Sequence, residues 1–168
     1  ANYRTANTNF ALLVSEKFTE PFKEPIAYGQ HVARLANMLA GGVLVQRFGD
    51  LLDGRRSTPE RIKSSIITPT LSCATPGDLS LVLPYRQLLS IIEMLYALDK
   101  IAPGVASRYT LLYGVEVKFY SGRVKLTNDL ETEGVKNLYA IGDGAGVTRG
   151  LIQASASGVH AARGICSK

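Results

Sequence analysis

Apolar positions along the chain come in short runs and one-faced repeats, punctuated by proline and glycine. Phe10-Ala11-Leu12-Leu13-Val14 is a continuous apolar run. It predicts a strand reaching toward Phe18, broken by Pro21 and Pro25. Pro25 suits the first turn of a helix, because its missing N–H has no intrahelical partner there. Ile26, Val32, Leu35, Met38 and Leu39 then recur at near-helical spacing through Ala40, and Gly41-Gly42 stops the helix. Val43 to Gln46 is a brief extended run. Arg47 to Arg56 reads as a loop. Ser57 and Glu60 stand at capping-box spacing and predict a short helix. Thr68 to Gly77, with Pro69 and Pro76, reads as irregular chain or an edge strand. Leu79 to Leu83 alternates briefly and ends at Pro84. Leu88, Leu89, Ile92, Leu95, Tyr96 and Leu98 share one face of an amphipathic helix of about fifteen residues, stopped by Pro103-Gly104.

The pattern then changes. Thr110–Tyr113, Glu116–Tyr120 and Arg123–Leu126 read as strands joined by tight turns at Gly114 and at Ser121-Gly122. Asn128 to Lys136 is polar, and Leu138-Tyr139-Ala140-Ile141 reads as a buried strand. Gly142-Asp143-Gly144-Ala145-Gly146 follows, then a helix of small residues from about Thr148 to Ile165. The seam falls between Ala106 and Thr110. The expected fold class is therefore α+β or α/β in two parts. Residues 1–108 would form a mixed domain with about three helices. Residues 109–168 would form a small meander leading into a strand–turn–helix of Rossmann-like type.

Composition narrows the picture only a little. The 168 residues suffice for one ordinary domain, or one domain plus part of another. Lys plus Arg is 19 and Asp plus Glu is 14, a net +5 that suits an anionic partner without requiring one. Two cysteines, Cys73 and Cys166, lie far apart, so neither a metal site nor a disulfide framework is expected, and a reduced cytoplasmic chain is the default. No apolar run reaches the ~20 residues that a membrane-spanning helix needs.

The candidate chemistry sits in the last third. Glycines 142, 144 and 146 let the backbone turn sharply and approach a ligand with no side chain between. The helix that follows directs its N–H groups and positive dipole end back at the turn, where an anionic or electron-rich group is favoured. Asp143, directly after the strand, can accept hydrogen bonds from sugar or polyol hydroxyls but would repel a bare phosphate. Ala154, Gly158 and Ala162 recur at every fourth position and let the helix pack closely on a sheet or a flat ring. A plain structural connection would also use such a turn. The glycine order fits neither Gly-x-Gly-x-x-Gly nor a phosphate-binding loop ending in Lys-Ser/Thr.

Asn137 to Gly146 resembles the second flavin motif of two-dinucleotide-binding-domain flavoproteins, with Leu130-Glu131-Thr132 similar to the polar segment that leads into it. Further stretches are similar to the bacterial FAD-dependent dehydrogenases often labelled NAD(FAD)-utilizing dehydrogenases. These are Asn9–Val14, Gln46–Asp50, Gly54–Thr58, Pro76–Leu79, Leu98–Gly104 and Val147–Leu151. The resemblance implies that Gly142 and Gly144 allow close approach of FAD and that Asp143 binds its ribityl chain. It also implies that Gly146 completes the turn and that the helix start at Gly150, Leu151 and Ile152 faces the flavin ring. Arg149, beside that turn, would contact a substrate or a cofactor phosphate, or form a structural ion pair. No Gly-x-Gly-x-x-Gly strand–helix unit stands in the chain to hold the adenosine end.

The expectation is thus a piece of a flavin-dependent oxidoreductase that passes hydride between a nicotinamide cofactor, NAD or NADP, and an unknown small-molecule acceptor. Its partner would be the N-terminal FAD-binding segment of the same protein. Tight FAD binding is not expected of this piece alone, nor is activity, and no residue declares itself catalytic. The competing reading is a module that binds RNA or another polyanion through the basic loop 47–63, with Arg47, Arg55, Arg56, Arg61 and Lys63. Against it, only Phe48 supplies an aromatic platform, and Asp50, Asp53 and Glu60 stand ready to pair the cations. His31 and His160 have no second ligand at metal spacing, and no redox Cys-x-x-Cys accompanies Cys73.

Overall fold

A computed structural model describes residues 7–119 and 122–167. The chain divides into two compact units, the first ending at Val117 and the second beginning at Lys118. The division lies beyond the expected seam because the strand at 111–114 pairs into the first unit.

The first unit is built on a three-stranded mixed sheet in the order β2-β1-β3. The central strand β1 (Leu44–Arg47) pairs in parallel with the two-residue β2 (Thr75–Pro76) and antiparallel with β3 (Leu111–Gly114). Helix α1 (Pro25–Ala40) begins at its proline and closes at Gly41, as the pattern predicts. Helix α4 (Tyr85–Asp99) is the amphipathic helix and has the expected fifteen residues. Between them lie two short helices, α2 (Phe48–Leu52) and α3 (Pro59–Lys63), and a 3-10 turn at Leu79–Leu81.

Two apolar clusters flank the sheet. Val32 and Ala36 of α1 pack with Leu44, Leu79 and Val82. Phe48 and Leu51 of α2 pack with Leu95 of α4, and Phe48 meets Tyr96 edge-on at 5.7 Å between ring centres. Leu112 of β3 touches both clusters. Full burial of each large apolar side chain contributes about 1.5–3 kcal/mol.

The structure corrects several expectations drawn from the sequence. Phe10–Val14 forms no strand, and Phe10 and Leu13 are exposed, although Leu12 reaches the α2–α4 cluster. The supposed loop 47–56 contains α2. That helix forms because its first N–H groups find tertiary acceptors, Phe48 on Thr110 O (2.8 Å) and Gly49 on Arg108 O (2.9 Å). The cap of α3 is Thr58, whose hydroxyl accepts from the Arg61 N–H, and not Ser57. Leu79–Leu83 is no strand: Asp78 caps the 3-10 turn through the Ser80 N–H.

Ser57 has another use. The Asp50 carboxylate is 1% exposed and accepts from the Ser57 hydroxyl (2.8 Å) and from Arg55 Nε (2.9 Å). Ser57 Oγ in turn accepts from the Arg47 N–H at 2.9 Å. The fully buried Gln46 side chain donates to Arg55 O and to Asp78 Oδ1, and accepts from the Leu79 N–H. Loop 53–58 is thereby stitched to the end of β1.

At the surface, Asp53 pairs with Arg108 at 2.6 Å and with Arg55 at 3.1 Å. The hydrogen bond from Arg108 holds the Asp53 carboxyl below its ordinary range, with Arg55 and Arg47 assisting. Arg108 is raised in return by the same bond.

Replacing Asp50 with Ala leaves the Ser57 hydroxyl and the Arg55 Nε without their acceptor, so we expect a loss of about 1–3 kcal/mol in urea unfolding. A loss under about 0.5 kcal/mol would remove the network from the account of the fold. Asp53 behaves differently because its folded pKa is depressed. Its contribution is present above the unfolded carboxylate value of about 3.9 and is lost as pH falls through the folded value. Carboxyl titration by NMR should show Asp53 titrating below the ordinary aspartate value of about 3.9, and Arg108→Ala should return it toward that value.

Candidate functional site

In the second unit, isolated bridges replace the expected strands. Leu126 pairs with Thr132, and Glu131 with Tyr139. Arg123–Leu126 and Leu138–Ile141 form no ladder, and Glu116–Phe119 is irregular, with Tyr120 and Ser121 outside the described residues. The helix α5 runs Leu151–Cys166, starting three residues later than expected. Its packed face is Ala154, Ser157, Gly158, Ala161 and Gly164. Gly158 approaches Ile141, Gly164 approaches Asp129, and Ala161 is 4% exposed. Ala162, expected on this face, is exposed. His160 Nε2 meets Asn128 O at 2.8 Å, which gives that histidine a structural partner.

The glycine turn joins the 138–141 segment to α5. Gly142 has φ 71° and ψ −165°, and Gly146 has φ 69°, both in regions that side chains rarely adopt. Asp143–Ala145 between them is a single 3-10 turn, closed by the Gly146 N–H on Asp143 O. At Gly146 a Cβ would also lie 3.0 Å from Arg123 Cα. Gly144 is exposed and nothing lies within 4 Å of where its Cβ would stand. The turn is thus constrained at both ends and open at its crest.

Two hydroxyls that sequence reasoning did not single out hold it. Ser157, 7% exposed, accepts from the Gly142 N–H at 3.0 Å and donates to Ala154 O at 2.7 Å. Thr148 donates to Asp143 Oδ1 at 2.6 Å. Their positions, fifteen and five residues beyond their partners, match no spacing rule that would have exposed them. Leu151 and Ile152 project into solvent at 88% and 83% exposure. The first turn of α5 has no acidic residue and no side-chain cap. Arg149 and Gly150 lead into it, Arg149 exposed. The structure therefore brings Gly142, Asp143, Gly144 and Gly146 together in one turn and sets Gly150, Leu151 and Ile152 at the adjoining helix start.

An open cleft of about 630 Å³ in this unit is lined by Arg123, Lys125, Thr127, Asn128 and Glu133 among others. Val147 also lines it, and two of its lining residues touch the turn: Arg123 lies against Gly146 and the Val124 N–H donates to Ala145 O, so the cleft adjoins the turn.

The basic loop of the first unit makes several internal contacts, while Arg55, Arg56 and Lys63 remain exposed. Arg55 is bound to Asp50 and Asp53, Arg61 donates to Arg56 O, and Arg47 lies over the Tyr109 ring at 5.2 Å. No group of three metal-ligating side chains occurs among the described residues, and Cys73 and Cys166 are exposed and unbridged. Among those residues no helix is long and apolar enough to cross a membrane.

The site thus consists of an extended segment, a left-handed glycine turn carrying one carboxylate, and a helix start without an acidic residue. Residues 70–168 match the family described as Glucose inhibited division protein A, and the chain belongs to that family of FAD-dependent oxidoreductases. It is also similar to an uncharacterized protein of Clostridium beijerinckii, 31% identical over 173 residues. That alignment takes in 96% of this chain and 31% of the relative, so the chain spans under a third of that protein's length.

The turn predicts its own tolerance. Gly146→Ala should lower stability by about 1–3 kcal/mol, from the positive φ and the Arg123 contact. Gly144→Ala should leave the thermal midpoint within about a degree or two. Equal effects at both positions would contradict the geometry.

Proposed function

We propose that this chain supplies the flavin-facing turn of an FAD-dependent oxidoreductase whose complete polypeptide passes hydride between a nicotinamide cofactor and a small-molecule acceptor. The observation that carries the reading is the open crest at Asp143-Gly144 beside the start of α5. The donor set fits the group. A carboxylate accepts from polyol hydroxyls such as those of a ribityl chain, a glycine without a neighbour admits backbone approach, and a helix start favours electron-rich ring edges.

When bound, FAD would supply the two-electron chemistry, and the protein would bind and orient it. Asp143 would accept hydrogen bonds from hydroxyls of the polyol chain. Gly142 and Gly146 hold the backbone in the turn, and Gly144 leaves room above it. The N–H groups at Leu151 and Ile152 would place positive potential where negative charge develops, while their side chains cover apolar surface. Arg149 would contact a phosphate or an acidic substrate. The adenosine end would be held by another segment of the polypeptide, so the chain alone would bind FAD weakly and would lack activity.

The test is flavin content of the complete protein, read by visible absorption. We expect bound FAD in the wild type and, in Asp143→Ala with folding unchanged, an affinity lower by about tenfold or more. Unaltered flavin content in that variant would remove Asp143 from the site, and a colourless wild type that also fails to take up added FAD would end the flavoenzyme reading.

A further inference from the structure

The Asp143 side chain stands on an exposed crest, where a carboxylate would ordinarily sample several rotamers. Here Thr148 Oγ1 donates to its Oδ1 at 2.6 Å, the short distance of a charge-assisted O–H···O⁻ bond. Threonine suits that task because branching at Cβ makes its χ1 stiff, so the hydroxyl is a fixed donor.

The backbone beneath is fixed by a second hydroxyl. Ser157 is buried on the packed face of α5 and makes two bonds. Its proton goes to Ala154 O within the helix, which leaves the oxygen lone pairs directed at the Gly142 N–H. That bond commits the Gly142 donor to the helix and sets the peptide plane from which Asp143 departs. Of the turn's amide donors, the one at Gly142 is thus unavailable to a ligand. Contact must come through the exposed Asp143-Gly144 crest.

We propose that Thr148 and Ser157 are positioning residues for the cofactor turn, Thr148 aiming the Asp143 carboxylate and Ser157 fixing the Gly142 backbone, so that a polyol-bearing ligand meets a preorganised acceptor. This rests on the flavin reading above and adds residues to it. Neither hydroxyl touches the ligand. Their effect is to remove, before binding, the conformational freedom that binding would otherwise have to freeze.

The experiment uses the complete protein and FAD itself. Thr148→Val keeps the shape and removes the hydroxyl, Thr148→Ser restores it, and Ser157→Ala removes the buried acceptor. Each is measured for FAD dissociation constant, for the shape of the bound-flavin visible band, and for thermal midpoint without flavin. We expect Thr148→Val to raise the dissociation constant by about tenfold or more with the apo midpoint unmoved, and Thr148→Ser to recover it to within about threefold. Ser157→Ala should weaken FAD similarly and speed amide exchange at Gly142, a readout that needs no flavin. Should Ser157→Ala fold poorly, the Thr148 pair decides alone. Wild-type affinity in Thr148→Val, or no recovery in Thr148→Ser, would overturn the proposal while leaving the flavin reading intact. Absence of FAD binding in the wild type would overturn both, and that result is separate because it appears before any variant is made.

Discussion

The first unit depends on one buried charge. Asp50 is almost wholly removed from water, and an ion so placed costs several kcal/mol unless its oxygens are satisfied. Satisfaction comes from Ser57 and Arg55, both on the loop that follows α2, so the loop must fold back for the helix to exist. Ser57 simultaneously accepts from the Arg47 N–H at the end of β1, and Gln46 binds the loop backbone and the start of the 3-10 turn. One strand end thereby fixes the loop, the short helices beside it and the 3-10 turn. The same arrangement explains the character of the basic segment. Arg55 pairs with Asp50 and Asp53 and Arg47 stacks on Tyr109, so part of the local cation count is taken up by internal contacts, while Arg55, Arg56 and Lys63 remain exposed.

What could be read from the sequence follows from what each element needs. Helices α1 and α4 satisfy their own backbones, so an apolar face and a proper stop signal sufficed to locate both. A strand needs a second backbone, which no local pattern supplies. Phe10–Val14 and Leu138–Ile141 carry strand-like composition and form no ladder among the described residues, whereas β2 is real at two residues because Val43 and Val45 carbonyls accept from Thr75 and Gly77. The helix α2 was hidden for the opposite reason. Its five residues include Gly and Asp, poor helix formers, and it exists through acceptors far along the chain at Arg108 and Thr110.

The glycine turn was legible because left-handed backbone leaves a compositional mark, and Gly142 and Gly146 both adopt it. The hydroxyls that hold the turn left no such mark. Thr148 reads as a generic helix-start residue, and Ser157 as one more small residue in a small-residue helix. Its importance comes from facing the turn across the packed side of α5. Ser155, the same residue type two positions earlier, is exposed, and Ala156 between them has no hydroxyl to offer. Composition alone does not choose among the three. Ala154, Ser157, Gly158 and Ala161 are the inward set, a three–four repeat, while the every-fourth reading drifted off that face by Ala162.

The second unit, like the first, leaves apolar surface uncovered. Leu138 and Ile141 are about half exposed on the segment entering the turn, and Leu151 and Ile152 almost fully so on the helix leaving it. The two groups differ in meaning. Leu151 and Ile152 stand at the helix start beside the open crest, where an apolar flat ligand would cover them. Leu138 and Ile141 belong to an extended segment whose backbone is already paired in part, Leu138 O accepting from the Thr132 N–H and the Ala140 N–H donating to Leu130 O, so a flat ligand there would meet side chains rather than open backbone.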